Sequence, residues 1–204
     1  MNIENDYIIR THEVTLYGSI RNHAVTLVPL MDAHLPLLYR WNSDPEVLYW
    51  CEEDDVESND EETVRMIYGH VSQHAFCFLI EVDDLPIGEC WLQEMNLPYI
   101  RDRYPAGTDI RRIDMMIGEK EWWNKGIGTE VVRLLCDFAF QQEHAELISS
   151  FCSDYNLRSC RVFEKNGFRH AFSLPVRDSK KAKEEIWLER WASEERREDG
   201  AKQL

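Results

Sequence analysis

Cys-x-x-Cys spacing is absent from this chain, whose six cysteines stand at 51, 77, 90, 136, 152 and 160 among apolar neighbours such as Phe76 and Phe78. That excludes zinc knuckles and thioredoxin-type redox motifs, and the cysteines read as buried free thiols. Positive charge is scarce, with 23 Lys and Arg against 38 Asp and Glu and a net charge of −15. Such a field repels nucleic-acid phosphates and anionic membranes, so neither is expected as a partner, and a small cationic amine is the better candidate. Long apolar runs are missing too. The longest, residues 75–80, is too short to cross a bilayer, and Glu4, Asp6 and Glu13 interrupt anything resembling a secretion leader, so a cytoplasmic protein is expected. What the chain does hold is apolar and aromatic: 44% hydrophobic residues, with seven Trp, eight Tyr and eight Phe among 204. One domain with extensions fits that length.

Residues 1–22 are polar and weakly patterned and read as an N-terminal extension, 23–192 as the domain, and 193–204 as a charged tail. A strand is predicted at 23–30, followed by a helix capped by Asp32 in which Leu35, Leu38 and Trp41 recur, with Pro36 tolerated in its first turn. After the acidic run 52–62, Val64, Ile67, Tyr68 and Val71 mark a second helix. The runs 76–82 and 87–94 read as a hairpin joined by Asp83-Asp84-Leu85-Pro86, and 110–117 as the next strand. The strongest helix begins at Gly126 and carries Ile127, Val131, Leu134, Leu135 and Phe138 on one stripe. A strand at 146–152, a helix at 156–165 stopped by Gly167, and strands from 168 and over 185–191 complete the order. The expected class is α/β of the α+β kind, a mixed, mostly antiparallel sheet flanked by helices.

Chemistry concentrates where the strand ending near Ile117 runs through a short loop into Lys125-Gly126-Ile127-Gly128-Thr129. Two glycines opening a helix let a ligand approach the backbone, and the unpaired N–H groups there favour an anion. The dinucleotide fingerprint would need a third glycine where Val131 stands, and a P-loop would need a Gly-Lys-Ser/Thr ending. His70 and His74 are four residues apart, but no third ligand accompanies them, so no metal is expected. No Gly-x-Ser-x-Gly elbow is present.

Joined to Asn156-Leu-Arg-Ser-Cys-Arg-Val-Phe-Glu-Lys-Asn-Gly-Phe168 about thirty residues on, the glycine turn resembles the two central motifs of the GCN5-related N-acetyltransferase (GNAT) superfamily. Within it the likeness is to bacterial aminoglycoside 6'-N-acetyltransferases, through Arg112-Ile113-Asp114, Leu85-Pro86-Ile87-Gly88 and Val47-Leu48-Tyr49-Trp50. The resemblance implies a splayed sheet with a bulge in its fourth strand. It also implies acetyl-coenzyme A as cosubstrate, with the pantetheine arm in the splay and the pyrophosphate on the amides of residues 125–129.

The resemblance further implies roles for single residues. Asp114 would hold the acceptor ammonium and take its proton, although by itself it could equally pair with Arg111 or Arg112. The thioester carbonyl would meet backbone N–H groups around Met116 and Ile117. Asn156 would bond the pantetheine arm, or else cap its own helix. Trp50 with Glu52, Glu53, Asp102 and Asp109 would shape the acceptor cleft, the acids serving as cation holders or as a solvated face. Three positions depart from the family. Phe163 stands where many relatives have a tyrosine able to protonate coenzyme A, Phe151 where antibiotic-modifying relatives have an aspartate, and Trp123 at the first place of the coenzyme A fingerprint.

The expected activity is acetyl transfer to a primary amine, first that of an aminoglycoside, by a monomer or homodimer. The alternatives are acylation of a siderophore hydroxylamine, a polyamine or a protein N-terminus, and a non-catalytic sensor of coenzyme A.

Overall fold

Asp83 and Asp84 both sit at positive φ, 51° and 65°, the backbone that a two-residue turn between antiparallel strands requires. Asp83 steadies the turn by accepting from Ala24 N through Oδ1 at 3.0 Å. Leu85 and Pro86, read from sequence as part of this turn, instead begin the strand: β3 is Ala75–Val82 and β4 is Leu85–Glu94. Around this hairpin the computed structural model, which describes residues 7–51, 56–177 and 179–193, builds a single eight-stranded sheet. Its other strands are β1 (Leu16–Ile20), β2 (His23–Pro29), β5 (Ile110–Ile117), β6 (Leu147–Ser153), β7 (Arg169–Pro175) and β8 (Glu184–Trp191). The spatial order is β1-β2-β3-β4-β5-β6-β8-β7, with β5 and β6 parallel and the other neighbours antiparallel. Opposite Ile80 and Glu81 the register skips Ile87, a bulge in β4.

Six helices cover the sheet among the described residues: α1 (Leu35–Asn42), α2 (Pro45–Cys51), α3 (Glu61–Val71), α4 (Pro98–Arg101), α5 (Ile127–Gln141) and α6 (Leu157–Lys165). On one face the α5 stripe of Ile127, Val131, Leu135 and Phe138 packs on Val25, Leu27, Phe78, Ile80 and Leu92. On the other, Leu38, Trp41, Val64 and Tyr68 from α1 and α3 pack on Cys77, Leu79 and Met116. Burying such side chains contributes about 1.5–3 kcal/mol each, which anchors the helices to the sheet.

Further sequence expectations change. The run 16–20, read as part of an extension, is an edge strand: it pairs with β2 from Leu16↔Leu27 to Ile20↔His23, and Ser19 N donates to Glu130 Oε1 of α5 at 3.1 Å. Its signal is weak because Leu16 is buried while Tyr17 is 76% exposed. Asp32 does not cap α1; its Oδ1 accepts from Ile9 N at 3.1 Å and ties the segment before β1 to the helix layer. Of the cysteines, five are buried as expected and Cys51 is exposed. Burial pushes the Cys136 thiol up to about 12, which keeps it protonated and unreactive at neutral pH.

One feature of the sheet positions the site. The ladder between β5 and β6 consists of Ile110↔Leu147 and Arg111↔Ile148, and beyond it Ile113 N donates to the Ser150 side chain at 2.9 Å rather than to backbone. Past that bridge the two strands part.

Candidate functional site

The cleft opened by this parting is bounded by Met115 and Ile117 of β5, residues 126–129 at the start of α5, α6, and the last turn of α2, and its volume is about 340 Å³. Gly126 sits at φ 90° as the N-cap of α5, a backbone that glycine adopts without strain. Thr129 N and Glu130 N already bond Gly126 O, so the amides before them are the helix donors left for a ligand. A Cβ on Gly128 would meet Met115 Cε at 3.0 Å, so a larger residue there would press on this side chain at the floor of the cleft. Among the described residues every formal charge on the lining is positive: Arg21, Arg158, Arg161 and Lys165 are present, and no carboxylate is. In a chain with 38 acids and 23 bases that is a local inversion of sign, and it suits an anion bearing several phosphates. Arg158 is held over Trp50 at 4.1 Å and Trp123 at 5.2 Å, joining α2, the loop before α5, and α6.

Of the residues named from sequence, Gly126, Ile127, Gly128, Thr129, Ile117, Trp50 and Asn156 come together on this lining. Lys125 lies beside it with Nζ 4.6 Å from the centre of the Trp122 ring. Ile113 N points toward β6, so strand alternation turns the Ile117 amide to the splay and the Met116 amide to β4, while the Met116 side chain is buried under α1 and α3. Asn156 caps α6 and also donates Nδ2 to Trp50 O at 2.8 Å. Phe163 is buried and packs edge-on against Phe168 at 5.0 Å, away from the lining. Trp123 donates Nε1 to Ile117 O at 2.7 Å and so braces the end of β5.

Asp114 lies on the opposite face of β5 from Met115. Its Oδ2 accepts from Trp91 Nε1 at 2.7 Å and from Arg112 Nε at 2.8 Å, so both the ion pair foreseen from sequence and a second donor are present. Oδ1 has no protein donor among the described residues, and the side chain keeps 28% of its exposure. Of the remaining acids named from sequence, Asp102 and Asp109 do not converge on it. Asp102 is exposed at the end of α4, and Asp109 is held by Arg111 through two hydrogen bonds of 2.6 and 3.0 Å. Glu52 and Glu53 lie outside the described residues.

The cations of α6 went unremarked in the sequence. Positions 158, 161 and 165 follow the three- and four-residue steps of one helical stripe, a signal available to inspection once the helix is drawn. Arg21 could not be found that way, since only the β1–β2 turn brings it to the cleft. His70 and His74 approach to 6.2 Å between ring centres, and among the described residues no three His, Cys, Asp or Glu side chains gather as a metal site would need. Nor is any described helix long and apolar enough to cross a membrane.

A parted sheet beside a glycine-opened, cation-lined helix start suits a phosphate-bearing ligand. Residues 24–169 match the family model described as acetyltransferase (GNAT) domain, and the chain belongs to that family of enzymes. Among relatives, it is 22% identical over 180 residues to aminoglycoside N(6')-acetyltransferase type 1 of Klebsiella pneumoniae, covering 81% of this chain and 85% of that one. Among solved structures, AAC(6')-Ib in complex with ribostamycin and coenzyme A superposes with a TM-score of 0.67 at 19% identity, over 85% of this chain and 96% of that one. RimJ of Mycobacterium smegmatis, in complex with CoA-disulfide, gives 0.68 at 17% identity over 88% of each chain. At these identities the structural likeness speaks for the fold.

Proposed function

We propose that the chain is an acetyl-coenzyme A-dependent N-acetyltransferase acting on a primary amine, in the manner of the aminoglycoside 6'-N-acetyltransferases it is similar to. The carrying observation is the cleft at the parting of β5 and β6, which among the described residues has four cations and no carboxylate in a strongly acidic chain. Amides at the start of α5 and the side chains of Arg158, Arg161 and Lys165 would hold the phosphates of the cosubstrate, whose thioester supplies the acyl group. The Ile117 amide, on the splay side of β5, is the donor available to polarise a carbonyl there. Trp91 and Arg112 fix Oδ2 of Asp114, so Oδ1 is the atom that receives the ammonium and then its proton. Phe163 has no proton to return, so another acid or solvent must protonate the departing thiolate. Free thiols on a chain of this kind belong to a reducing compartment, so the reading takes the enzyme as cytoplasmic.

A second reading, acylation of a different amine, is favoured by one position. Phe151 occupies the place of an aspartate in antibiotic-modifying relatives, and an apolar ring offers a cationic sugar no charge. The deciding experiment measures coenzyme A release from acetyl-coenzyme A with kanamycin, spermidine, a hydroxylated lysine and peptides. Turnover on kanamycin alone supports the aminoglycoside reading, and turnover on another amine alone supports the second. Binding without turnover on any amine removes both in favour of a sensor.

A further inference from the structure

The short parallel ladder pairs Ile110 with Leu147 and Arg111 with Ile148. Four residues further along each strand stand Asp114 and Phe151. Ile110 and Leu147 share one apolar cluster, and side chains repeat their facing every second residue, so Asp114 and Phe151 look out from the same side of the sheet. The strands have parted by then, Ser150 having made the last bridge to Ile113 N, and the phenyl ring therefore borders the gap directly across from the carboxylate.

Behind Phe151 the rings continue. Its centre lies 5.1 Å from that of Trp187 on β8, and Phe172 on β7 stacks on Trp187 at 5.8 Å with planes 20° apart. Trp187 is fully buried, whereas Phe151 and Phe172 each keep part of their surface exposed. The three form a row from the gap to the edge of the sheet, a shelf open at Phe151, closed over Trp187 and roofed at Phe172. Guanidinium groups mark both ends: Arg112 beside Asp114, and Arg103 with its central carbon 4.0 Å above the Phe172 ring. Arg103 Nε is buried with no hydrogen-bond partner among the described residues, and its guanidinium rests on the Phe172 ring. A second ammonium reaching past Phe151 would approach Arg103, while a flat uncharged surface at the gap would meet the Phe151 ring, on which it can stack.

Resting on the acetyltransferase reading above, we infer that the Phe151 ring, backed by Trp187 and Phe172, is the surface on which the acceptor lies. The amine that reacts at Asp114 is carried on a flat apolar face, an aryl ring or the C–H face of a sugar, with any further cation turned away from the sheet.

The test is coenzyme A release by the full chain with phenethylamine, kanamycin and spermidine, the last having no flat face. The wild-type protein acetylates one of the first two with higher kcat/KM than spermidine, phenethylamine identifying an aryl and kanamycin a sugar acceptor. For that amine Phe151→Leu raises KM about tenfold, the order expected when one stacking ring is taken from under the acceptor. Acetyl-coenzyme A affinity stays at the wild-type value, which also reports an intact fold, and Phe151→Tyr, which keeps the ring, stays close to wild type. Spermidine as the best acceptor, or an unchanged KM in Phe151→Leu, overturns the shelf while leaving the acetyltransferase reading in place. No release with any amine overturns both.

Discussion

Asn156 donates Nδ2 to the carbonyl oxygen of Trp50 at 2.8 Å while its Oδ1 accepts from Ser159 N at 3.3 Å. Both ends of the amide are thereby engaged inside the protein, one capping α6 and the other satisfying a carbonyl at the end of α2. Tyr155 Oη and Lys181 Nζ reach the neighbouring Tyr49 O at 2.9 and 3.3 Å, so three donors converge on the last turn of α2. The asparagine links two walls of the cleft. Asn156→Ala should cost about 1 kcal/mol for the lost cap alone, and more if Trp50 O is left unsatisfied. Urea unfolding midpoints with parallel acetyl-coenzyme A titrations check this, and an unshifted midpoint would remove the latch.

How far the site could be read in advance depended on whether its parts are neighbours in sequence. The glycine turn and α5 were legible because a long amphipathic stripe follows two closely spaced glycines, and the Asp114–Arg112 pair because residues two apart share a strand face. Trp91 as the second donor to Asp114 required the β4·β5 register, which no local pattern encodes. The insertion of β8 between β6 and β7 is likewise a matter of tertiary pairing, and it alone brings Phe172 beside Trp187. Helix α2 was missed for a different reason. Pro45 reads as a stop to α1, yet it also suits a first helical position, and Asp44 accepts from Glu46 N at 2.9 Å to start the new helix.

Removing the charge at Asp114 separates chemistry from cosubstrate binding. Asp114→Asn keeps an oxygen for Trp91 Nε1 but leaves Arg112 without its anion, and an amide cannot take a proton from an ammonium. Turnover should fall about 100-fold or more while acetyl-coenzyme A affinity changes little. Steady-state kinetics beside equilibrium binding tell the two apart. Undiminished turnover would show that Asp114 serves only as a partner to Arg112.

The charge inversion in the cleft predicts a salt-dependent affinity. Arg161 and Lys165 are solvent-accessible, where each ion contact contributes only about 0.2–1 kcal/mol, so the paired change Arg161→Ala with Lys165→Ala should weaken acetyl-coenzyme A binding by about twofold to 30-fold. The difference from wild type should shrink in salt near 1 M, where the screening length is about 3 Å. Arg65→Ala, on the exposed side of α3, is the control and should leave affinity unchanged. A loss that persists in high salt would mean the two side chains act through packing rather than charge.

His12 gives the fold a dependence on acid that is independent of the cleft. Its Nε2 donates to Cys77 O at 2.9 Å and its Nδ1 accepts from Val14 N at 3.2 Å, so the neutral ring with the proton on Nε2 is the form the structure holds. The ring also packs edge-on against Phe78 at 4.6 Å. Burial lowers its pKa below the ordinary 6.5, and this outweighs the raising effect of the Cys77 carbonyl. Because the unfolded chain binds the proton more readily than the folded one, the stabilisation is complete above 6.5 and is lost as pH falls from there through the depressed folded value. A proton on Nδ1 would also set two donors, the ring and Val14 N, against each other. His34 is lowered by burial too, so the contribution of His12 must be read by difference. Between about pH 7.5 and about pH 5.5 the urea midpoint of the wild-type protein should fall more than that of His12→Gln, which has no proton to gain in that range. Equal falls in the two proteins would assign the acid sensitivity to other groups and leave His12 as a neutral strut between the N-terminal segment and β3.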